Sequence, residues 1–326
     1  MRNRHDQRDC ATDLINEENA MIRPLHALAA LGALALVLSG CATAATLEGR
    51  AEGEDAPIIV GSQDYYSNEI LAEAYSQALE NAGYEVDRQY RIGQREVYLP
   101  ELEAGSIDVM PEYTGSLLQY FAPDTEATLP EDVLAALIEA LPEGLGVLTP
   151  AEASDQDSYV VTAEFAKAHG LKSISDLAAA AAKVGPLTLG GNSELETRPY
   201  GPKGLKELYG VEVAFTPIED SGGALSVKAL KNNQVQLIDV YSADPTLADP
   251  ELQVLEDPKG MFLSSRVVPL VSERLGSGAV NALNAVSAAL DSADLIEMNR
   301  RSTEEAASPQ TIAREWLISE GIIAER

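Results

Sequence analysis

The chain has 326 residues, enough for two domains of ordinary size, and its 45% hydrophobic and 23% charged residues are those of a globular protein. The formal net charge of −29 excludes nucleic acid as a partner, because binding it takes a basic surface that displaces phosphate counterions. The same charge suits a well-solvated protein working outside the cytoplasm.

Residues 1–20 are polar and acidic and precede a second Met, so Met21 is the expected start and 1–20 an over-extension. Residues 21–40 read as a signal peptide: Arg23 supplies the basic end, 27–38 the short apolar core, and Leu38-Ser39-Gly40-Cys41 closes it. Small residues directly before a Cys resemble a bacterial lipobox, which makes Cys41 the expected lipid attachment point. The other cysteine is Cys10, so the mature domain has neither a free thiol nor a disulfide, and its stability must come from its cores. Residues 41–56 are small and charged with no apolar period, as in a flexible tether. No later stretch is long and apolar enough to cross a bilayer as a helix.

Strand and helix patterns then alternate. "PIIVGS" reads as a buried strand. The following helix carries Ile70, Leu71, Ala74, Ala78 and Leu79 on one face, Ser67 as its expected cap and Gly83 at its end. "YEVDRQYR" predicts a strand, "REVYLPELEAG" a helix, "IDVMP" a strand broken at Pro111, and 129–141 another helix. From about residue 155 the pattern restarts with "DSYVVT" (strand), "SISDLAAAAAKV" (helix), "LTLGGN" (strand), "ETRPYGPKGLKELYG" (helix opened by Arg198), "VEVAFTPI" (strand), "GGALSVKALKNNQ" (helix) and "VQLIDVYS" (strand). "LQVLEDPKG", a strand "RVVPLVS" and two helices complete the chain. This punctuation predicts an α/β protein with mostly parallel sheets. It divides into two lobes, 57–152 plus 246–326 and 153–245, joined by two crossings with a ligand cleft between them.

The ends of these strands gather one kind of chemistry. Gln63 follows the first strand, Tyr113 and Ser116 follow "IDVMP", Asp157 and Tyr159 stand at the first crossing, and Asp239 and Tyr241 end "LIDVYS". With four Phe and one Trp against twelve Tyr, the aromatic content is mostly tyrosine. Tyrosine faces attract a cation that has no N–H to donate, such as trimethylammonium, by roughly 0.5–2 kcal/mol per well-placed ring. Arg198, the Ser116 hydroxyl and the amides of a helix start are the expected grip for a carboxylate. A cage beside an anion site describes a receptor for a small zwitterion.

On the motifs "VGSQDYYSNEIL", "LEAGSIDVMPEYTGS", "DSYVV", "RPYG…GLKELYG", "LIDVYSAD" and "VLEDPKG…VPLV", the chain over 57–322 resembles the osmoprotectant-binding lipoproteins of ABC importers for glycine betaine, carnitine and choline. The resemblance implies a two-lobed type II periplasmic-binding-protein fold and no cofactor. It also implies a monomer on a lipid anchor that delivers its ligand to a separate permease and ATPase. Matched motif by motif, it makes Tyr113, Tyr159 and Tyr241 cage walls, Asp157 a pocket contact, and Gln63, Ser116 and Arg198 carboxylate contacts. The family's further cage tyrosine after "LEDPKG" falls here on Ser265, in "MFLSS", leaving Tyr65, Tyr66, Tyr200 or Phe262 to fill the gap.

An enzyme is the rival class. The mature chain has a single His, His169, placed before a Gly at a helix end where it complements the helix dipole. Without a second His or a free Cys, nucleophile–base pairs and zinc sites lack their components. "LGGN" is not a phosphate loop, and the acids are scattered, so a paired-carboxylate hydrolase has no mark. A same-fold receptor for an amino acid or polyamine is the other alternative; a polyamine calls for acids rather than a tyrosine cage.

Overall fold

Two five-stranded sheets with helices packed on them make up residues 56–325, the part of the chain described by the computed structural model. The expected extension, signal peptide, Cys41 and all of the expected tether except Ala56 lie outside these residues. In chain order the first part runs β1 (Ile58–Gly61), α1 (Tyr66–Asn81), β2 (Val86–Gln89), α2 (Arg95–Glu103), β3 (Val109–Tyr113), α3 (Thr114–Phe121), α4 (Pro130–Ala140) and β4 (Leu145–Val147). The middle part is β5 (Asp157–Thr162), α5 (Ala163–His169), α6 (Leu177–Val184), β6 (Leu187–Gly191), α7 (Pro202–Tyr209), β7 (Val213–Pro217), α8 (Ala224–Lys231), β8 (Leu237–Tyr241) and β9 (Leu252–Val254). The chain closes with β10 (Val267–Ser272), α9 (Ser277–Ala289), α10 (Ser292–Glu304) and α11 (Pro309–Ser319), three helices where the sequence pattern predicted two.

The first sheet has the order β2-β1-β3-β10-β4 and the second β7-β6-β8-β5-β9. In each sheet four strands share one direction and the fifth is reversed, so the sheets are mixed rather than wholly parallel. β1 is parallel to β2 and β3, but β10 runs antiparallel to β3 and β4. Likewise β6 is parallel to β7 and β8, but β5 runs antiparallel to β8 and β9. The reversed strand in each sheet is the one that arrives from the other lobe. A strand delivered by a long crossing, rather than by a crossover helix, is free of the parallel constraint.

The return crossing also lies further along the chain than residue 245. β9 pairs with β5 in the second sheet, Leu255 and Met261 pack into the second lobe's core, and Leu263 packs into the first lobe's. Lobe two therefore runs on to about Met261. The two crossings lie side by side: Asp155 N–H donates to Ser265 O at 2.9 Å, and Val267 N–H donates to Ala153 O at 2.9 Å.

α1 buries the expected face of Ile70, Leu71, Ala74, Ala78 and Leu79. Its cap position is Tyr65 rather than Ser67, which is buried in the first turn. β3 does not break at Pro111 but continues to Tyr113. Pro111 sits opposite Pro269 of β10, and neither has an N–H, so this is a pair whose polar groups point away from each other. The Pro111 carbonyl, so turned, accepts Asn68 Nδ2 at 3.0 Å.

Candidate ligand-binding site

A cavity between the lobes collects residues from the ends of β1, β3, β5, β6 and β8. Asn68 holds its first edge. The side-chain oxygen of Asn68 accepts the Gln63 N–H at 2.8 Å while its nitrogen reaches Pro111, so the ends of β1 and β3 are tied together and Gln63 faces the cavity. On the opposite side Asn192 bonds both the N–H and the hydroxyl of Ser221, each at 3.0 Å, shaping the Ser221–Gly222 turn that lines the second lobe's wall.

Four tyrosines line the space: Tyr65, Tyr113, Tyr200 and Tyr241. Tyr65 from the first lobe and Tyr241 from the second meet with ring centroids 5.3 Å apart at 42°. Burial pushes all four phenols well above their ordinary value, so they are neutral rings at any physiological pH. The phenol oxygen of Tyr113 and the side-chain nitrogen of Gln63 are buried with no hydrogen-bond partner among the described residues, and both residues line the cavity.

The acids are more numerous than the basic groups. Asp155, Asp157, Glu194 and Asp239 line the cavity with Arg95 and Arg198. Each arginine is already answered by a carboxylate of the first lobe. Arg95, buried, donates Nε and Nη2 to the two oxygens of Glu112 at 2.9 and 2.8 Å. Burial alone would lower the Arg95 guanidinium, but Glu112 more than offsets this, and it stays charged. Glu112 also accepts the Tyr98 hydroxyl and the Tyr113 N–H. Arg198 donates Nη1 and Nη2 to Glu96 at 2.6 and 3.2 Å and lies 5.6 Å from the centroid of the Tyr120 ring.

Among the residues singled out in the sequence, the cavity brings together Gln63, Tyr113, Ser116, Asp157, Arg198 and Tyr241, together with Tyr65 and Tyr200. Tyr159 is not on its wall. It lies on the same face of β5 as Asp157 but two residues deeper, fully buried, with its hydroxyl donating to Tyr200 O at 2.5 Å and its ring 5.0 Å from Phe262 at 82°. It supports Tyr200 from below, so Tyr200 presents the ring to the cavity instead. Phe262 packs behind both. Tyr66 faces away, its hydroxyl on Asp244 Oδ2 at 2.7 Å.

Ser265 stands behind Ser116, buried, and accepts its N–H at 3.0 Å. The start of α3 can approach that closely because residue 115 is glycine: a Cβ there would sit 2.7 Å from Leu263, the Ser264 carbonyl and Ser265 Oγ. Arg198 does not open a helix. It occupies the turn between a 3-10 segment, Ser193–Glu196, and α7, which starts at Pro202.

The family described as the substrate-binding domain of ABC-type glycine betaine transport systems matches residues 56–319. The chain belongs to that family. It is therefore the extracytoplasmic receptor component of an ABC importer, which works with a permease, and not an enzyme. Over 294 residues it is 28% identical to a glycine-betaine-binding protein of Pseudomonas aeruginosa, covering 86% of this chain and 94% of that one. A glycine betaine-binding protein of Escherichia coli, YehZ, is 24% identical over 277 residues, 81% of this chain and 91% of that protein. The crystal structure of a glycine betaine/carnitine/choline ABC transporter protein superposes with a TM-score of 0.63 at 19% identity, covering 81% of this chain and 99% of the other. The two-lobed type II periplasmic-binding-protein fold is that of this solved structure.

Sequence reasoning missed Arg95, Asp155, Asn192, Glu194 and Ser221 as lining residues. Asp155 had a signal, its place at the first crossing. Arg95 had none, because nothing in "GQREVYLP" tells that Glu112 from a distant strand end will hold it at the cavity floor.

Proposed function

We propose that this receptor closes its lobes on a small quaternary ammonium solute (glycine betaine, carnitine, choline or proline betaine) and hands it to the permease as the lobes reopen. The observation that carries the reading is the set of four neutral tyrosine rings around an interlobe cavity. Rings from both lobes take part, so a cation placed among them draws the lobes together. The relatives named for glycine betaine in Pseudomonas aeruginosa and Escherichia coli support it. So does the Listeria monocytogenes relative named as a carnitine transport binding protein. Tyr65, Tyr113, Tyr200 and Tyr241 are the proposed cage, with Gln63, Ser116 and Asp157 as polar contacts. The protein acts as a monomer held at the outer face of the membrane through Cys41.

Isothermal titration calorimetry of the purified protein against glycine betaine, carnitine, choline, proline betaine and proline tests this. At least one methylated ammonium compound is expected to bind, and proline, which has N–H groups to satisfy, to bind at least tenfold more weakly. Tyr113→Ala is expected to weaken the best ligand by roughly tenfold, the loss of one well-placed ring. Silence across the four methylated compounds from a folded protein overturns the reading.

A further inference from the structure

Of the three groups expected to hold a carboxylate, Ser116 and Arg198 are engaged within the protein, and Gln63 keeps an unpartnered side-chain nitrogen. Arg198 is bidentate on Glu96, the Ser116 N–H is taken by Ser265 Oγ, and the Ser116 hydroxyl lies between Ser265 Oγ at 3.2 Å and Asp157 Oδ2 at 3.5 Å. The other arginine of the wall, Arg95, is bidentate on Glu112. Against these paired cations stand four lining carboxyls: Asp155 and Asp157 at β5, Asp239 at β8 and Glu194 beyond β6. With both arginines answered by Glu96 and Glu112, the ionisable groups left unpaired by a base on the wall are carboxyls.

Three buried polar atoms on that wall, the Tyr113 phenol oxygen, Asp239 Oδ1 and Gln63 Nε2, have no hydrogen-bond partner among the described residues. Asp239 Oδ1 is an acceptor on a residue 9% exposed, and Gln63 Nε2 is a donor on a residue 3% exposed. A hydroxyl both donates and accepts and can satisfy an acceptor and a donor. A carboxylate only accepts, so it leaves Asp239 Oδ1 unanswered, and its charge would oppose ionisation of Asp157 and Asp239 in a site shielded from water.

We propose that this cavity selects quaternary amino alcohols, cations without a carboxylate, over zwitterionic betaines. The inference rests on the tyrosine-cage reading and narrows it. Asp157 and Asp239 become the residues that set specificity, and Ser265 caps α3 and withdraws an amide from anion binding.

Charge linkage supplies a second readout. Burial, reinforced for Asp239 by its neighbour Asp157, pushes the Asp157 and Asp239 carboxyls above the ordinary carboxylate range. Burial, with Asp244 and Asp157 nearby, pushes Asp155 up to about 7, opposed by the Ala243 N–H. Burial raises Glu194 as well. The other groups facing this cluster are the paired Arg95 and Arg198, Asp244 held by Tyr66, Glu219 beside Glu194, and the neutral tyrosines. A bound cation favours the ionised carboxyls, so its binding releases protons and tightens as pH rises.

The experiment is calorimetry of the purified protein with choline and with glycine betaine, at about pH 5.5 and 8 and in two buffers of different ionisation heat. The expected result is choline at least tenfold tighter than glycine betaine, tighter at the higher pH, with protons released. Asp239→Asn and Asp157→Asn are expected to narrow that ratio at least fivefold while the melting curve stays cooperative. Glycine betaine binding as tightly as choline, or a ratio unmoved in both variants, overturns the inference and leaves the cage reading standing. If neither compound binds a folded protein, the cage reading falls and takes this one with it.

Discussion

Asp155 sits where the two crossings meet and also lines the cavity. Its N–H donates to Ser265 O and its carboxylate accepts the Ala243 N–H at 2.9 Å, while Ala243 O accepts Asn299 Nδ2 at 3.0 Å. A carboxyl that is harder to ionise in the folded than in the unfolded chain contributes most to stability below its unfolded value of 3.8. That contribution is lost as pH climbs to about 7. The ligand-free protein is therefore expected to lose melting temperature between about pH 4.5 and 7.5, at most about 4 kcal/mol from this group. Asp155→Asn keeps an acceptor for Ala243 and removes the titration. Its melting temperature should fall less over that range than that of the wild type, and equal slopes would assign the pH dependence to another group.

At the scale of elements, the turn from β6 to α7 and the start of α2 approach each other across the cleft through Arg198 and Glu96. Arg198 is 9% exposed and Glu96 half exposed, so the pair contributes no more than about 1 kcal/mol. That is enough to bias an open–closed equilibrium about fivefold. Glu96→Gln is expected to raise the dissociation rate of bound ligand two- to fivefold in stopped-flow tyrosine fluorescence, with little effect on the melting temperature. An unchanged dissociation rate would mean that the pair forms no latch.

At the scale of the whole molecule, two mixed sheets share one cavity, and the proposed lipid anchor at Cys41 would hold that cavity at the membrane. A Cys at 41 and small, charged residues over 42–56 place the first strand only about fifteen residues from the expected lipid. Cys41→Ser is expected to move the protein from the membrane fraction to the soluble fraction of fractionated cells without altering its ligand affinity. Retention in the membrane fraction would remove the anchor.

The sequence by itself determined what depends on near neighbours in the chain. Helical period marked the buried face of α1, and apolar runs marked the strands. Turn chemistry placed Tyr113, Ser116, Asp157 and Tyr241 at strand ends, where α/β sheets present their ligand-facing residues. Only the tertiary structure decided the direction of β5 and β10, the late return crossing, the burial of Tyr159 under Tyr200, and the pairing of Arg95 and Arg198 with Glu112 and Glu96. The reason is common to all four. Each depends on a partner far away in sequence: 102 residues separate Arg198 from Glu96. Local propensity says that an arginine is charged; only packing says whether its charge is already spoken for when a ligand arrives.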